Sequence, residues 1–218
     1  MINRVIQREE LLEMEHLFRI NLVNSITGYK SASLIGTIDK TEQTPNLAIF
    51  SSVTHFGSEP PLIGFVLRPT TVFRGTYENI KSTGFYTINH VNTSIIKAAH
   101  HTSAKYPAEV SEFDKTNLTP TFKNDFCAPY VKEAQIKIGM EFKQEIPITL
   151  NGTILILGQI QEMIVPKICL QEDGFVDLNV AETVAISGLD AYHFPKQLAR
   201  FEYARPNQRV REIKDRKL

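Results

Sequence analysis

The chain has 218 residues, 24.7 kDa, with 24 Lys plus Arg against 24 Asp plus Glu. Zero net charge argues against a surface built to coat nucleic acid or an anionic membrane. A hydrophobic fraction of 42% argues against disorder, and no apolar run is long enough to span a bilayer. The first 17 residues lack the apolar core of a secretory signal, so the expected location is the cytoplasm. Two cysteines, Cys127 and Cys169, are too few for a disulfide framework or a cysteine zinc site, and both read as packing residues.

In chain order, residues 8–26 repeat apolar positions near a 3.6-residue period and read as a helix, broken by Thr27-Gly28. Residues 33–39 and 46–54 read as two strands of a hairpin around a polar loop at 40–45. Residues 57–61, rich in Gly and Pro, form a corner. A third strand, 62–67, is apolar nearly throughout and is expected to be buried on both faces. Thr76 reads as the N-cap of a short helix over 76–82, stopped by Gly84. Residues 85–90 alternate as a strand does.

Residues 93–104 and 109–115 have helical character, and 117–130 is irregular around two prolines. Long strands over 134–144 and 152–165 flank Leu150-Asn151-Gly152, where Asn-Gly signals a hairpin turn. A short apolar segment follows at 183–190, and the tail from 205 is basic. The sum is one mostly-β domain over 1–218, a β-barrel with accessory helices. Residues 1–28 form a helical extension and 190–218 a C-terminal one.

Candidate chemistry concentrates between residues 46 and 80. Arg68 and Arg74 flank a threonine-rich loop that runs into a helix start. Free amides, the helix dipole and a guanidinium together make an anion site, phosphate being the commonest biological anion. The alternative is a capped loop with solvated arginines. Thr102 and Ser103 either contact a ligand or cap locally. His55, His90, His100, His101 and His193 show no metal-ligand spacing, so no metal is expected. Glu141 and Glu145 are expected on one wet strand face rather than as a catalytic pair. Tyr77, Tyr86 and Tyr192 read as packing residues. No nucleophile elbow, P-loop or dinucleotide fingerprint occurs.

The ordered series NLAIFSSV (46–53), the Pro60-Pro61 corner, LIGFVL (62–67), Arg68…Arg74-Gly-Thr76-x-x-Asn79-Ile80 and GFYTIN (84–89) resembles the flavin reductase-like, flavoredoxin-type proteins. Segments 103–120, 128–134 and 187–206 also look like one branch of that family. The resemblance implies a dimeric FMN-binding split barrel with flavin near the subunit interface. It implies flavin contacts from Asn46, Phe50, Ser51, Ser52 and the backbone of Val53. It gives the phosphate to Arg68, Arg74 and Thr76, with Thr102 and Ser103 as further contributors. Ser52 stands where some relatives carry an aromatic, and Pro69 and Glu112 where some carry lysine.

The implied activity is an oxidoreductase that passes electrons from NADH or NADPH through FMN to a free flavin or an unidentified protein acceptor. FMN then carries the chemistry and no side chain need act as a nucleophile. The implied partners are a second copy and the nicotinamide cosubstrate, with no nucleic acid and no membrane. A non-enzymatic electron carrier and a relative of the pyridoxamine-phosphate oxidases are the alternatives. Tyr192 and His193 are conceivable rim residues without an assigned role.

Overall fold

A computed structural model describes residues 2–107, 109–123 and 125–213. Helices α1 (Arg8–Glu13) and α2 (His16–Ser25) replace the single helix expected over 8–26. The break falls at Met14 and Glu15, whose ψ angles of 146° and 141° are extended. The Glu15 carboxylate accepts from the Phe18 amide at 2.9 Å and so caps α2. Neither helix buries a residue, and Leu12, Leu17, Phe18 and Val23 lie exposed.

Strands β1 (Lys30–Ser31), β2 (Ser33–Ile38), β3 (Pro45–Phe50), β4 (Thr54–Ser58) and β5 (Pro61–Leu67) precede α3 (Gly75–Thr83) and β6 (Phe85–His90). Then come α4 (Ile96–His101), α5 (Glu112–Thr116), β7 (Pro120–Thr121), β8 (Tyr130–Val131), β9 (Lys137–Ile148), β10 (Thr153–Ile164), β11 (Ala185–Ser187) and β12 (Ala191–His193). Seven strands form one antiparallel sheet in the order β3-β2-β6-β9-β10-β5-β4. Strands β1, β11 and β12 form a second sheet, and β7 pairs with β8.

Connectivity shows that the large sheet is rolled. Its two edges, β3 and β4, are joined by residues 51–53 alone. That link reaches about 14 Å at most, whereas the outer strands of a flat seven-stranded sheet lie about 29 Å apart. The edges must therefore approach one another, as in a barrel. Ser52 ties the seam: its hydroxyl accepts from the Val66 amide at 3.0 Å and donates to the Val66 carbonyl.

Strand alternation sorts the apolar side chains into two cores. Ile35, Phe65, Leu67, Tyr86, Ile88, Met140 and Ile156 fill the barrel interior, with Ile80 of α3 against them. Leu34, Leu47 and Val91 face the other way and pack under Ala99 of α4 and Phe113 of α5.

Several local expectations need correction. The second strand stops at Phe50 because the chain there leaves one sheet edge for the other. Gly57 and Ser58 belong to β4, so the corner narrows to Glu59 and Pro60. Strand β5 is only partly enclosed, with Gly64, Phe65 and Leu67 buried and its remaining residues half-buried. Helix α4 is shorter than 93–104, since Asn92 Oδ1 accepts from both the amide and hydroxyl of Ser94 and holds that stretch in a turn. Helix α5 begins at Glu112 rather than 109. Cys169 is buried, but Cys127 is exposed and so is not a packing residue.

The Asn151-Gly152 hairpin is present, with Gly152 at φ 72° and Asn151 Oδ1 accepting from the Thr153 amide and hydroxyl. A bulge at Lys143 breaks the strand period between Phe142 and Gln144. Glu141 and Glu145 therefore part company. Glu141 pairs with Lys143 and Gln161, while Glu145 joins Lys81 and Tyr77 on the side of Phe142.

Candidate functional site

Strand β3, the end of β5, the loop into α3 and the loop after α4 enclose a cavity of about 700 Å³, a size ordinary for small-ligand sites. It brings together Asn46, Phe50, Ser51, Ser52, Arg68, Arg74, Thr76, Thr102 and Ser103. Val53 alone among the expected residues is not in its lining. That residue packs against the interior core, and its carbonyl accepts from the Ser31 hydroxyl at 3.0 Å.

One end of the cavity is cationic. Arg74 is the N-cap of α3, with an extended backbone, in place of Thr76. The first intrahelical bonds are donated by Tyr77 and Glu78 to the Arg74 carbonyl, so the amides of Gly75 and Thr76 precede the helical ladder. Arg74 Nε donates to the Pro69 carbonyl at 3.3 Å and so holds the guanidinium by one edge. Arg68 is exposed at the end of β5. Ala48, Ile49, Phe50, Val72 and Phe73 supply apolar wall. Phe50 is fixed edge-on against Phe65, with ring centroids 4.9 Å apart.

A polar network joins the two ends. Asn46 Oδ1 accepts from the hydroxyls of Thr37 and Thr76, each at 3.1 Å. Asn79 Nδ2 donates to Thr37 Oγ1. Asn46 Nδ2 and the Leu47 amide both donate to Glu112 Oε2 at 2.9 Å. The network fastens β2, β3, α3 and α5 into one unit. Asn46 thus acts as a positioning knot. The Ser52 hydroxyl is occupied at the barrel seam, and the hydroxyls of Thr102 and Ser103 donate to the carbonyls of Ala99 and His100. Capping is what these last two side chains do in this structure.

Glu112 was absent from the expected contact set, and its distance of 66 residues from Asn46 hid the pairing. Burial pushes its carboxyl above the usual carboxylate range, opposed by hydrogen bonds from the Leu47 and Glu112 amides and the Asn46 side chain. Folded Glu112 therefore holds its proton more tightly than the unfolded chain does. Its contribution to stability is full below the unfolded pKa and is lost as pH rises through the folded one. Glu112→Gln removes this titration, so wild-type stability is expected to fall relative to E112Q from acid to neutral pH. Thermal melts across that window check it, and parallel profiles would contradict the burial.

Three of the histidines make local contacts. His100 Nδ1 lies 3.1 Å from the Tyr192 hydroxyl, His101 lies edge-on to Tyr106, and His193 packs on Tyr29 with centroids 4.7 Å apart. No cluster of three or more metal-ligating side chains occurs among the described residues. None of their helices is long and apolar enough to cross a membrane.

The sequence profile described as "Flavin reductase like domain" matches residues 29–176. The match begins just after α2 and stops before β11. A crystal structure from Shewanella frigidimarina, assigned as a flavin reductase with split barrel domain, is 46% identical. It superimposes with a TM-score of 0.89, covering 93% of this chain and all of that one. Nitrilotriacetate monooxygenase component B from Bacillus cereus (20% identity, TM-score 0.80, 91% and 98% covered) shares the fold. So does flavoredoxin of Desulfovibrio vulgaris (24%, 0.68, 83% and 92%). Two curated relatives, uncharacterised proteins from Aquifex aeolicus and Halalkalibacterium halodurans, are each 28% identical, and the chain spans 59% and 52% of their lengths. With more than half of its length matched by that one profile, and a rolled antiparallel sheet of the same form as these split barrels, the chain belongs to the flavin reductase-like family.

Proposed function

We propose that the protein is an FMN-binding oxidoreductase that takes reducing equivalents from NADH or NADPH and delivers them to a free flavin or a protein acceptor. One observation carries this reading. Every expected contact residue except Val53 lines a single cavity with a cationic, helix-N-terminal end and an apolar wall. FMN has the matching halves, a dianionic phosphate and a flat, largely apolar ring system. Once bound, FMN supplies hydride acceptance and onward electron transfer.

The residues of the chain bind and shield. Arg68, Arg74 and the amides at the start of α3 neutralise the phosphate. Ile49 and Phe50 keep water from the ring, and the Asn46–Glu112 network fixes the spacing between the two ends. The absence of a dinucleotide fingerprint fits a nicotinamide that visits transiently rather than one held in its own domain. The two free cysteines accord with a cytoplasmic location.

The reading also gives the protein a second copy as its partner. Large apolar side chains lie exposed along both extensions, among them Leu17 at 64%, Leu198 at 91% and Tyr203 at 90%. Surface of this kind marks an interface. Light scattering is expected to return about 49 kDa, twice the 24.7 kDa chain. A flavin-saturated monomer would contradict an interface site.

Steady-state oxidation of NADH and NADPH by the FMN-loaded protein, with free FMN, FAD or riboflavin as acceptor, tests the activity. Turnover with at least one pair is expected. Bound flavin without turnover on any pair would leave an electron carrier and refute the reductase.

A further inference from the structure

A second cavity, of about 440 Å³, lies where β1 and β11 meet the ends of β2 and β6, and it shares no lining residue with the first. Its walls are mainly apolar and include Tyr29, Phe175, Leu178, Val184 and Pro195. Three buried side-chain atoms in that lining have no hydrogen-bond partner: Ser33 Oγ, His90 Nδ1 and Thr183 Oγ1. Across the described residues, only one further buried side-chain atom is in this state, the Tyr86 hydroxyl.

Orphaned buried polar atoms are rare because each has lost its water without replacement. Three in one cavity therefore mark a surface made to meet something else. Ser33 and His90 are directly opposed across β2 and β6, so their side chains share one face. Thr183 is brought in by its bridge to Asn92.

The C-terminal extension contributes to this wall. Asn179 Nδ2 donates to the Pro195 carbonyl, and the Gln197 amide donates to Asn179 Oδ1 at 2.9 Å. Further along, Arg200 binds Gln171 and Asp173 and lies 3.8 Å over the Phe175 ring. Residues 195–200 are thus strapped across the segment that supplies Phe175, Leu178 and Asn179.

We propose that this cavity is a second ligand site, which takes an uncharged aromatic molecule whose hydrogen-bonding edge meets Ser33, His90 and Thr183. The flat apolar walls select the ring, and three groups able to give or accept hydrogen bonds select the edge. Charge is not provided for. No Asp or Glu is in the lining; of its two lysines, Lys30 Nζ already donates to the carbonyls of Asn24 and Gly188, and Lys196 is exposed to solvent. Burial lowers the His90 pKa to about 4, so its imidazole is neutral near pH 7. The volume falls in the lower part of the range for small-ligand pockets. Phe50, opposite Ser33 in the register, lines the first cavity, so one strand pair separates the two sites.

The test uses the full-length protein saturated with FMN and titrated by ligand-observed NMR. Benzamide and phenol are the neutral probes, benzoate the charged one and fluorobenzene the one without a polar edge. Benzamide or phenol is expected to bind at least tenfold more tightly than either control. The double variant Ser33→Ala/Thr183→Val is expected to weaken that binding at least tenfold, with FMN affinity unchanged. Should it fail to fold, Arg200→Ala, which releases the strap at the surface, is expected to speed dissociation of the same probe at least fivefold. Equal affinity for all four probes, no binding of a neutral probe, or unaltered binding in the folded variant would overturn the site. A crystal structure showing only ordered water or a partner's side chain in the cavity would also overturn it.

Discussion

Replacing Arg74 with alanine is expected to weaken FMN binding by about 10- to 100-fold, the loss of one charged hydrogen-bonding group worth about 1.5–3 kcal/mol. The half-buried guanidinium sits at the N-terminus of α3, held to the Pro69 carbonyl, where it adds a full positive charge to the helix dipole. Its contacts with the rest of the fold are few, so thermal stability of the flavin-free protein is expected to change by less than about 1 kcal/mol. Arg68, exposed at the end of β5, is more screened, and Arg68→Ala is expected to cost about threefold to tenfold. Riboflavin separates a phosphate contact from a ring contact. Lacking the phosphate, it should bind wild type and R74A alike in a fluorescence-quenching titration. Equal FMN affinity in R74A and wild type would end the phosphate assignment.

The largest effect on stability is expected from Gly36→Ala in the middle of β2. A Cβ there would run into the Pro129 carbonyl oxygen and lie 2.6 Å from Thr87 Oγ1. Neither neighbour can withdraw freely. The Thr87 hydroxyl donates to that same carbonyl at 2.6 Å, and Ala128, Pro129 and Tyr130 are buried. Overpacking of this kind costs about 3 kcal/mol, which lowers the midpoint of a chain this long by about 6–12 °C. Gly28→Ala is the control. Gly28 has φ 79° but no atom within 4 Å, so only backbone strain of about 1 kcal/mol applies. Similar midpoints for the two variants in calorimetry would show that the 128–131 segment does not clamp β2.

The strands were legible because their signals are local. Alternation in 85–90 placed β6 to the residue, and Asn151-Gly152 between apolar runs placed the β9–β10 turn, though β9 runs over Lys137–Ile148 rather than 134–144. Helix limits were less so, since they depend on side chains just outside the helix, such as Asn92 and Glu15, that bind nearby backbone amides. The anion end of the candidate site was readable from two arginines and a helix start within nine residues. What Asn46 and Ser52 do was not, because their partners, Glu112 and Val66, lie 66 and 14 positions away. The family resemblance puts the Val53 backbone in the contact set, whereas the chain leaves the strand at Phe50 and Val53 does not line the cavity. The second cavity left no mark in the sequence, since residues 29–33, 90 and 175–197 meet through the β1–β11 and β2–β6 pairings and the Asn92–Thr183 bridge.

The central claim is that the cavity between β3 and α3 holds FMN in a form that a nicotinamide can reduce. An absorbance spectrum of the FMN-loaded protein, taken under nitrogen before and after one equivalent of NADH and then of NADPH, tests it most directly. The expected result is the pair of visible bands of an oxidised flavin, which bleach with one of the two reductants and return on admitting air. A protein that retains no flavin, or one whose bands persist with both reductants, would contradict the account.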